Sequence, residues 1–368
     1  MTTSRLRIVG IHGSPYSRKL LAALRYRRLP YSWIVRDSPE DADLPRPRVS
    51  LLPQLISDGD GGTPVAVTDS TPILRELDRL HPERRLRPPD PVVALLDAVL
   101  EDWADEWLTK PMFHYRWAFA DDIHRASQIL PRWSRPQRSD DEVRIGGGMF
   151  AQRQIGRLGV VGSNATTAAV IEDSYHRSLA LLSEHLVSKR FLMGSRPGVS
   201  DFAVYGQLTQ LTGFDPTPSA IALALAPRVV AWVDVMDELS GLEPVSEDWI
   251  TRDAVPATLR ALLAEVGRVY VPFLLANAAA IERGAASVEC TIDGRPWTQQ
   301  PFPYQAKCLT WLRDEHAALS EPDRRAADAL LAGSGCEALF AAGATHTKRG
   351  QVPESRAGER RDPDAPTK

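Results

Sequence analysis

The first residues whose types and spacing support chemistry are Ser14-Pro15-Tyr16-Ser17-Arg18-Lys19. They sit between a short apolar run, Leu6–Gly10, and a stretch in which Leu20, Leu21, Leu24 and Tyr26 recur at roughly helical spacing. Pro15 suits the first turn of such a helix, where a missing N–H removes nothing. A helix N-terminus offers unsatisfied N–H groups and about half a positive charge, so it stabilises an anion. A thiol seated there, with an ordinary pKa of about 8.5, is shifted toward thiolate. The Ser14 hydroxyl could then donate a hydrogen bond to that anion, acting as a stabiliser and not as a base. Ser14 as a plain N-cap is the equally available structural role. Ser17 and Arg18 are supporting candidates; Arg18 either steadies the anion or faces solvent.

Two further segments have the same character. Leu52-Pro53-Gln54-Leu55 sets a proline directly before an apolar run, and Asp69-Ser70-Thr71-Pro72-Ile73 opens a second amphipathic stretch carrying Ile73, Leu74, Leu77 and Leu80 on one face. Asp69 and Ser70 are both good capping residues, and the helix start behind them is again a place for an anion.

The elements that must position these residues follow from pattern. Leu6–Gly10 and Tyr31–Val35 read as strands flanking the first helix, and the runs 53–57 and 64–68 read as an antiparallel pair joined by the glycine-rich link 58–62. The second helix ends at His81-Pro82. The resulting order, β-α-β, an irregular link, then β-β-α, is that of a thioredoxin-like domain over residues 1–83. A linker rich in proline and arginine spans 84–91. An all-helical domain is expected over 92–244, with helices near 92–107, 166–186, 201–211 and 228–239 and irregular stretches at 131–138 and Gly146-Gly147-Gly148. Residues 245–344 read as a mostly helical extension: a long alanine-rich helix near 256–283, a strand pair around 288–294, and a helix from Tyr304 to about Ala318. The polar tail 345–368 reads as disordered.

Composition bounds the partners. The 368 residues are 43% hydrophobic and 25% charged with a net charge of −3, which gives no electrostatic footprint for nucleic acid or an anionic membrane surface. The apolar stretch near the N-terminus is too short for a signal peptide or a membrane span. Three widely spaced cysteines, Cys290, Cys308 and Cys336, suggest neither a disulfide framework nor a metal cluster, and His12 and His114 have no partners at ligand spacing, so no metal is expected. A cytoplasmic protein is the expectation.

Ser14-Pro15-Tyr16-Ser17 resembles the Cys-Pro-Tyr-Cys of glutaredoxins with both cysteines replaced, and is similar to the active-site segment of serine-type glutathione S-transferases. Together with Leu52-Pro53 and Asp69-Ser70 in the matching order, it identifies residues 6–239 as resembling that superfamily, a thioredoxin-like domain followed by a helical one. The resemblance implies glutathione as cosubstrate, with Ser14 at the thiolate in preference to Ser17. Leu52 would offer its backbone to the cysteinyl part beside a cis Pro53, Ser70 would hold the γ-glutamyl carboxylate, and Asp69 would meet the amino group. It implies a small hydrophobic electrophile as second substrate, with Trp103, Trp107, Phe113, Tyr115 and Trp117 as candidate wall, although aromatics at helical spacing are commonly core. A homodimer is implied as well. The segment from Phe191 to Phe202 resembles the superfamily's helix-capping segment around Asp201, with Gly198 where a serine or threonine is usual. The alternatives are a non-catalytic binding or assembly module on the same fold, and a glutathione-dependent reductase or thiol transferase, which needs a protein cysteine where this chain has serine.

Overall fold

The computed structural model describes residues 5–47, 49–58, 62–245 and 248–341. The expected link at Asp58–Gly62 lies mostly outside these residues, at 59–61, and the expected disordered tail lies outside them altogether. The first unit runs β1 (Leu6–Gly10), α1 (Pro15–Tyr26), β2 (Tyr31–Val35), β3 (Gln54–Asp58), β4 (Pro64–Thr68) and α2 (Ser70–Leu80). Its sheet has the order β2-β1-β3-β4, with β1 and β2 parallel and β3 antiparallel to both β1 and β4. Register matters here. Val9 pairs with Gln54, and Gln54 pairs with Thr68. The end of β1, the start of β3 and the end of β4 therefore meet at one edge of the sheet.

Behind it follow α3 (Pro91–Glu106), α4 (Thr109–Ala118), α5 (Ala120–Ile129), α6 (Asp140–Ile155), α7 (Ala168–His185), α8 (Val199–Leu208), α9 (Pro216–Leu225) and α10 (Pro227–Asp237). The architecture is thus a thioredoxin-like unit followed by a helical one. The glycines at 146–148 are a correction: they lie inside α6, not in a break. Ser139 and Glu142 cap that helix reciprocally, through Ser139 N–H to Glu142 Oε2 at 2.8 Å and Glu142 N–H to Ser139 Oγ at 3.3 Å. A Cβ on Gly147 would lie 2.1 Å from the Ser127 carbonyl oxygen, so the glycine is what lets α6 approach α5.

The extension continues with α11 (Ala257–Glu265), α12 (Val271–Glu282), the hairpin β5 (Val288–Ile292) and β6 (Arg295–Gln299), α13 (Pro303–Ala317) and α14 (Glu321–Leu331). The long helix expected near 256–283 runs without a gap from α11 into α12, widening to π-helical geometry at Val266–Tyr270, where a Cβ on Gly267 would lie 1.9 Å from the Ser334 carbonyl oxygen. The hairpin turns on Asp293 (φ 53°) and Gly294 (φ 73°), the positive pair a two-residue turn requires. The extension shares its core with the helical domain. Trp297 packs 5.3 Å from Trp107 and 6.0 Å from Phe273, ring centre to ring centre, while Leu309, Leu312 and Leu331 belong to the same buried cluster as Val93, Leu96 and Trp103. Among the described residues no single helix is long and apolar enough to cross a membrane.

The capping segment ahead of α8 explains its own departure from pattern. Asp201 accepts from Gly198 N–H at 2.9 Å and Leu192 N–H at 2.8 Å. The cap that a serine side chain would supply comes instead from Asp97 of α3, which accepts from Ser200 N–H at 3.1 Å and Val199 N–H at 3.2 Å. A Cβ on Gly198 would lie 2.6 Å from Asp97 Oδ1, so glycine at 198 and aspartate at 97 require each other. On the same helix Glu106 is buried, and that burial, with Asp102 and Asp105 beside it, pushes its pKa up to about 8.

Two stability outcomes follow. Gly198→Ser, although it restores the usual capping residue, is expected to cost about 1–3 kcal/mol in denaturant unfolding through overpacking. Adding Asp97→Ala should recover part of that loss; strictly additive effects would show that the two positions are not coupled. For Glu106→Gln, the stability relative to the unsubstituted protein should grow between about pH 5 and pH 8, by on the order of 1 kcal/mol per pH unit. Folded Glu106 keeps its proton across that window while the unfolded carboxyl, with a pKa of about 4.3, has lost it. The unsubstituted protein therefore loses stability as pH rises, and the variant lacks that loss. A pH-independent difference would refute the assignment.

Candidate functional site

The sheet edge described above brings together Ser14 after β1, Leu52-Pro53 before β3, and Asp69-Ser70 after β4. Ser14 caps α1: its Oγ accepts from Ser17 N–H at 3.2 Å. It donates to no described residue, so the hydroxyl proton remains available to an anion at the helix start. Ser17 is fully buried, its Oγ accepting from Ile11 N–H at 3.4 Å beneath the first turn. The two serines thus differ in access as the motif implies. Arg18 takes neither of its expected roles. Its guanidinium donates to Asp237 at 2.7 Å and to the Tyr205 hydroxyl at 3.1 Å, which ties α1 to α10 and α8.

The turn before Ser14 is held from the helical domain. Arg116, buried and paired with Asp215 at 2.8 Å, donates to the Gly13 carbonyl at 3.1 Å, and Gln210 donates to the His12 carbonyl at 3.2 Å. The start of α1 is also pressed on α8, since a Cβ on Gly206 would lie 2.5 Å from the Pro15 carbonyl oxygen.

The Leu52–Pro53 bond is cis. Pro53 is buried and Leu52 half-buried. At the other strand end, Asp69 has φ 84° and ψ 117°, a conformation that an L-residue other than glycine rarely adopts and that clusters at ligand-binding turns. Its Oδ1 accepts from Thr71 N–H at 3.2 Å, capping α2, and Ser70 behind it is 3% exposed. Asp69 Oδ2 accepts from the hydroxyl of Tyr304, on the first turn of α13, at 2.5 Å.

Between α1, α2 and α3 lies a buried charge cluster. The Lys19 ammonium donates to Glu101 and to Asp105, each at 2.6 Å, and to the Thr71 hydroxyl at 3.2 Å. Burial alone would lower the Lys19 pKa, but Asp105 and Glu101 outweigh it and hold the ammonium above its ordinary range. Burial likewise pushes Asp105 up to about 6 against the pull of Lys19. Tyr16, third residue of the motif, donates to the Asp105 carbonyl at 2.8 Å. The sequence does not single out Lys19 and Thr71, because Glu101, their shared acidic partner, stands 82 and 30 positions away in the chain respectively.

The aromatic residues expected to wall a second substrate divide differently. Trp103 and Trp107 are fully buried, Tyr115 is 1% and Trp117 2% exposed, so burial favours the alternative in which they are core. Phe113 stays half-buried against Trp117. The ring that stands over the Ser14 turn is Trp133, from the irregular stretch after α5. A Cβ on Gly13 would lie 2.6 Å from it and 2.8 Å from Leu130. Trp133 also packs against His12 and Phe214, with ring centres 5.8 and 5.0 Å away. Its segment is visible in the sequence as a proline-bounded loop, but nothing there says which way the loop folds. His114 is taken up by Ser163 and Glu172, at 2.8 and 3.2 Å, and among the described residues no group of three or more His, Cys, Asp or Glu is placed to hold a metal ion.

The family description for the glutathione S-transferase N-terminal domain matches residues 8–85, and that for the glutathione S-transferase C-terminal domain matches residues 156–235. No curated protein matches the chain. Similar solved structures include a glutathione S-transferase from Methylobacterium radiotolerans in complex with glutathione sulfonate, 21% identical over 64% of this chain and 91% of that one, with a TM-score of 0.38. A beta-etherase from Sphingobium sp. strain SYK-6 is 22% identical over 63% and 94%, with a TM-score of 0.45. A glutathione S-transferase from Rhodospirillum rubrum is 18% identical over 68% and 98%, with a TM-score of 0.39. The assignment rests on the two domain matches, which fall in chain order on the thioredoxin-like unit and on the helical unit. Residues 8–85 and 156–235 thus match the N- and C-terminal domains of the glutathione S-transferase superfamily.

Proposed function

We propose that the protein binds glutathione at this sheet edge and activates its thiolate for attack on a small hydrophobic electrophile. The observation that carries the reading is the convergence of three anchoring points at one end of the sheet, with Asp69 held in a backbone conformation that turns the start of α2 toward them. In this reading the γ-glutamyl carboxylate lies at Ser70 and the first amides of α2, whose positive dipole end favours it. The amino group meets Asp69, and the cysteinyl backbone pairs with Leu52 beside Pro53. The thiolate sits at the start of α1, where it accepts from the Ser14 hydroxyl. Its sulfur lone pair then forms the C–S bond to the electrophilic carbon while the broken bond's pair departs with the leaving group or, in an addition, moves onto the activating group and takes a proton from water; the Trp133 and Leu130 side chains lie beside it as the apolar surface. The reading includes a cytoplasmic location and a symmetric homodimer, the latter checked by solution mass at micromolar concentration.

Glutathione-affinity retention followed by conjugation assays on several electrophiles tests the activity; retention without turnover on any of them would favour the assembly-module alternative. Ser70→Ala is expected to weaken glutathione binding by about 1.5–3 kcal/mol in a calorimetric titration, the range for a hydrogen bond to a charged group. Unchanged affinity would put the carboxylate elsewhere. Ser14→Ala should leave binding nearly unchanged and raise the pKa of the bound thiol, each unit corresponding to about 1.36 kcal/mol. Ser14→Cys should lose conjugation and gain a glutathione mixed disulfide on incubation with oxidised glutathione, read by peptide-mapping mass spectrometry. An inert thiol there, beside a reactive one in Ser17→Cys, would reverse the choice of serine.

A further inference from the structure

The extension is fastened to the start of α2. The residue before α13, Phe302, is held by a pair of hydrogen bonds to the Asn277 side chain on α12, its N–H to Oδ1 at 2.8 Å and its carbonyl from Nδ2 at 3.0 Å. That clamp sets the first turn of α13 and with it Tyr304, whose ring packs edge-on against Trp311 one face along the helix. Trp311 in turn lies under the Arg75 guanidinium of α2, 5.8 Å from its ring centre. Further along α13, Glu315 pairs with Arg75 at 2.6 Å and Arg87 at 2.9 Å. α13 is thus tied to α2 and to the linker by a cation–π contact and two ion pairs, and at its leading end the Tyr304 hydroxyl donates to Asp69 Oδ2 at 2.5 Å.

That bond engages the second oxygen of Asp69. One carboxylate oxygen caps Thr71 N–H and the other accepts from Tyr304. On its other side Tyr304 lines a small hollow with Thr71, Glu101, Asp105, Cys308 and Trp311. We propose that Tyr304 is a specificity-determining residue of the cosubstrate site, a built-in competitor whose hydroxyl occupies the Asp69 oxygen that a γ-glutamyl ammonium requires. This rests on the assignment of Asp69 to the amino end of glutathione. A ligand bearing that ammonium binds at Asp69 by displacing the Tyr304 hydroxyl, so its affinity is lowered by the strength with which α13 is docked. The extension is in this way coupled to occupancy of a site that its own sequence neighbours do not form.

The test is calorimetric titration of the full chain with S-methylglutathione, a thioether that carries the γ-glutamyl group without a reactive thiol. Tyr304→Phe keeps the ring and its packing on Trp311 and removes only the competing hydroxyl; it should bind about tenfold tighter than the unsubstituted protein. Glu315→Gln loosens the far end of α13 without touching Asp69 and should bind about two- to fivefold tighter. Hydrogen exchange over residues 303–317 in the unsubstituted protein should speed up when the ligand is saturating. Equal or weaker binding by Tyr304→Phe, with measurable affinity in the unsubstituted protein, overturns the inference and leaves the glutathione reading standing. Absence of binding in all three proteins overturns both.

Discussion

The Lys19 ammonium is the interaction on which the arrangement of the site depends. It is taken out of water between Glu101 and Asp105, with the Thr71 hydroxyl as third partner, and so joins α1, α2 and α3 at one point. An unpaired charge at that depth is strongly destabilising, whereas a paired one fixes which helices must meet. Both helix starts that carry the motif residues, Ser14 on α1 and Asp69-Ser70 on α2, are thereby referred to the same segment of the helical domain. Tyr16, reaching the Asp105 carbonyl, repeats the connection one turn earlier.

Contacts from the helical domain then do for the site what the thioredoxin-like unit cannot do alone. The carbonyls of His12 and Gly13 are satisfied by Gln210 and Arg116, so the turn that presents Ser14 is hydrogen-bonded from outside its own domain. Gly206 and Gly147 serve the same end by permitting helices to approach more closely than any side chain would allow. Gly198 differs: its missing side chain makes room for the Asp97 carboxylate, which takes over the cap. One helix, α3, thus supplies the cap for α8, the counter-charges for Lys19, and the surface on which the extension packs.

The extension extends this logic. Its hairpin brings Trp297 against Trp107 and places Gln299 on the Lys110 ammonium at 2.9 Å, inside a set of aromatic rings. Its last helices close over α3. Because the apolar residues of both parts form one buried cluster, the extension is part of the folded body and its position at Asp69 is set by packing as much as by the Tyr304 bond.

By itself the sequence determined the local elements and the anchoring motifs. Short apolar and β-branched runs placed β1, β2 and β4 at their observed bounds, and helical spacing with proline placed the start of α1 and α13 to within a residue, since these signals are local and a turn residue or proline stands beside them. Ser14, Pro53 and Asp69-Ser70 were legible because each stands at an element boundary, where capping and proline chemistry restrict the residue type. What the tertiary structure alone decided is how distant segments meet: Lys19 with Glu101 and Asp105, Arg18 with Asp237, Trp133 above Gly13, Tyr304 on Asp69. Three glycines in a row read as a break until a neighbouring helix supplies the reason for them, and the tryptophans read as core or as binding wall alike until the chain closes over them. The physical reason is the same in each case: the free energy of a buried charge, a close helix crossing or a buried ring belongs to a pair of surfaces, and only one of the two is written at any one place in the chain.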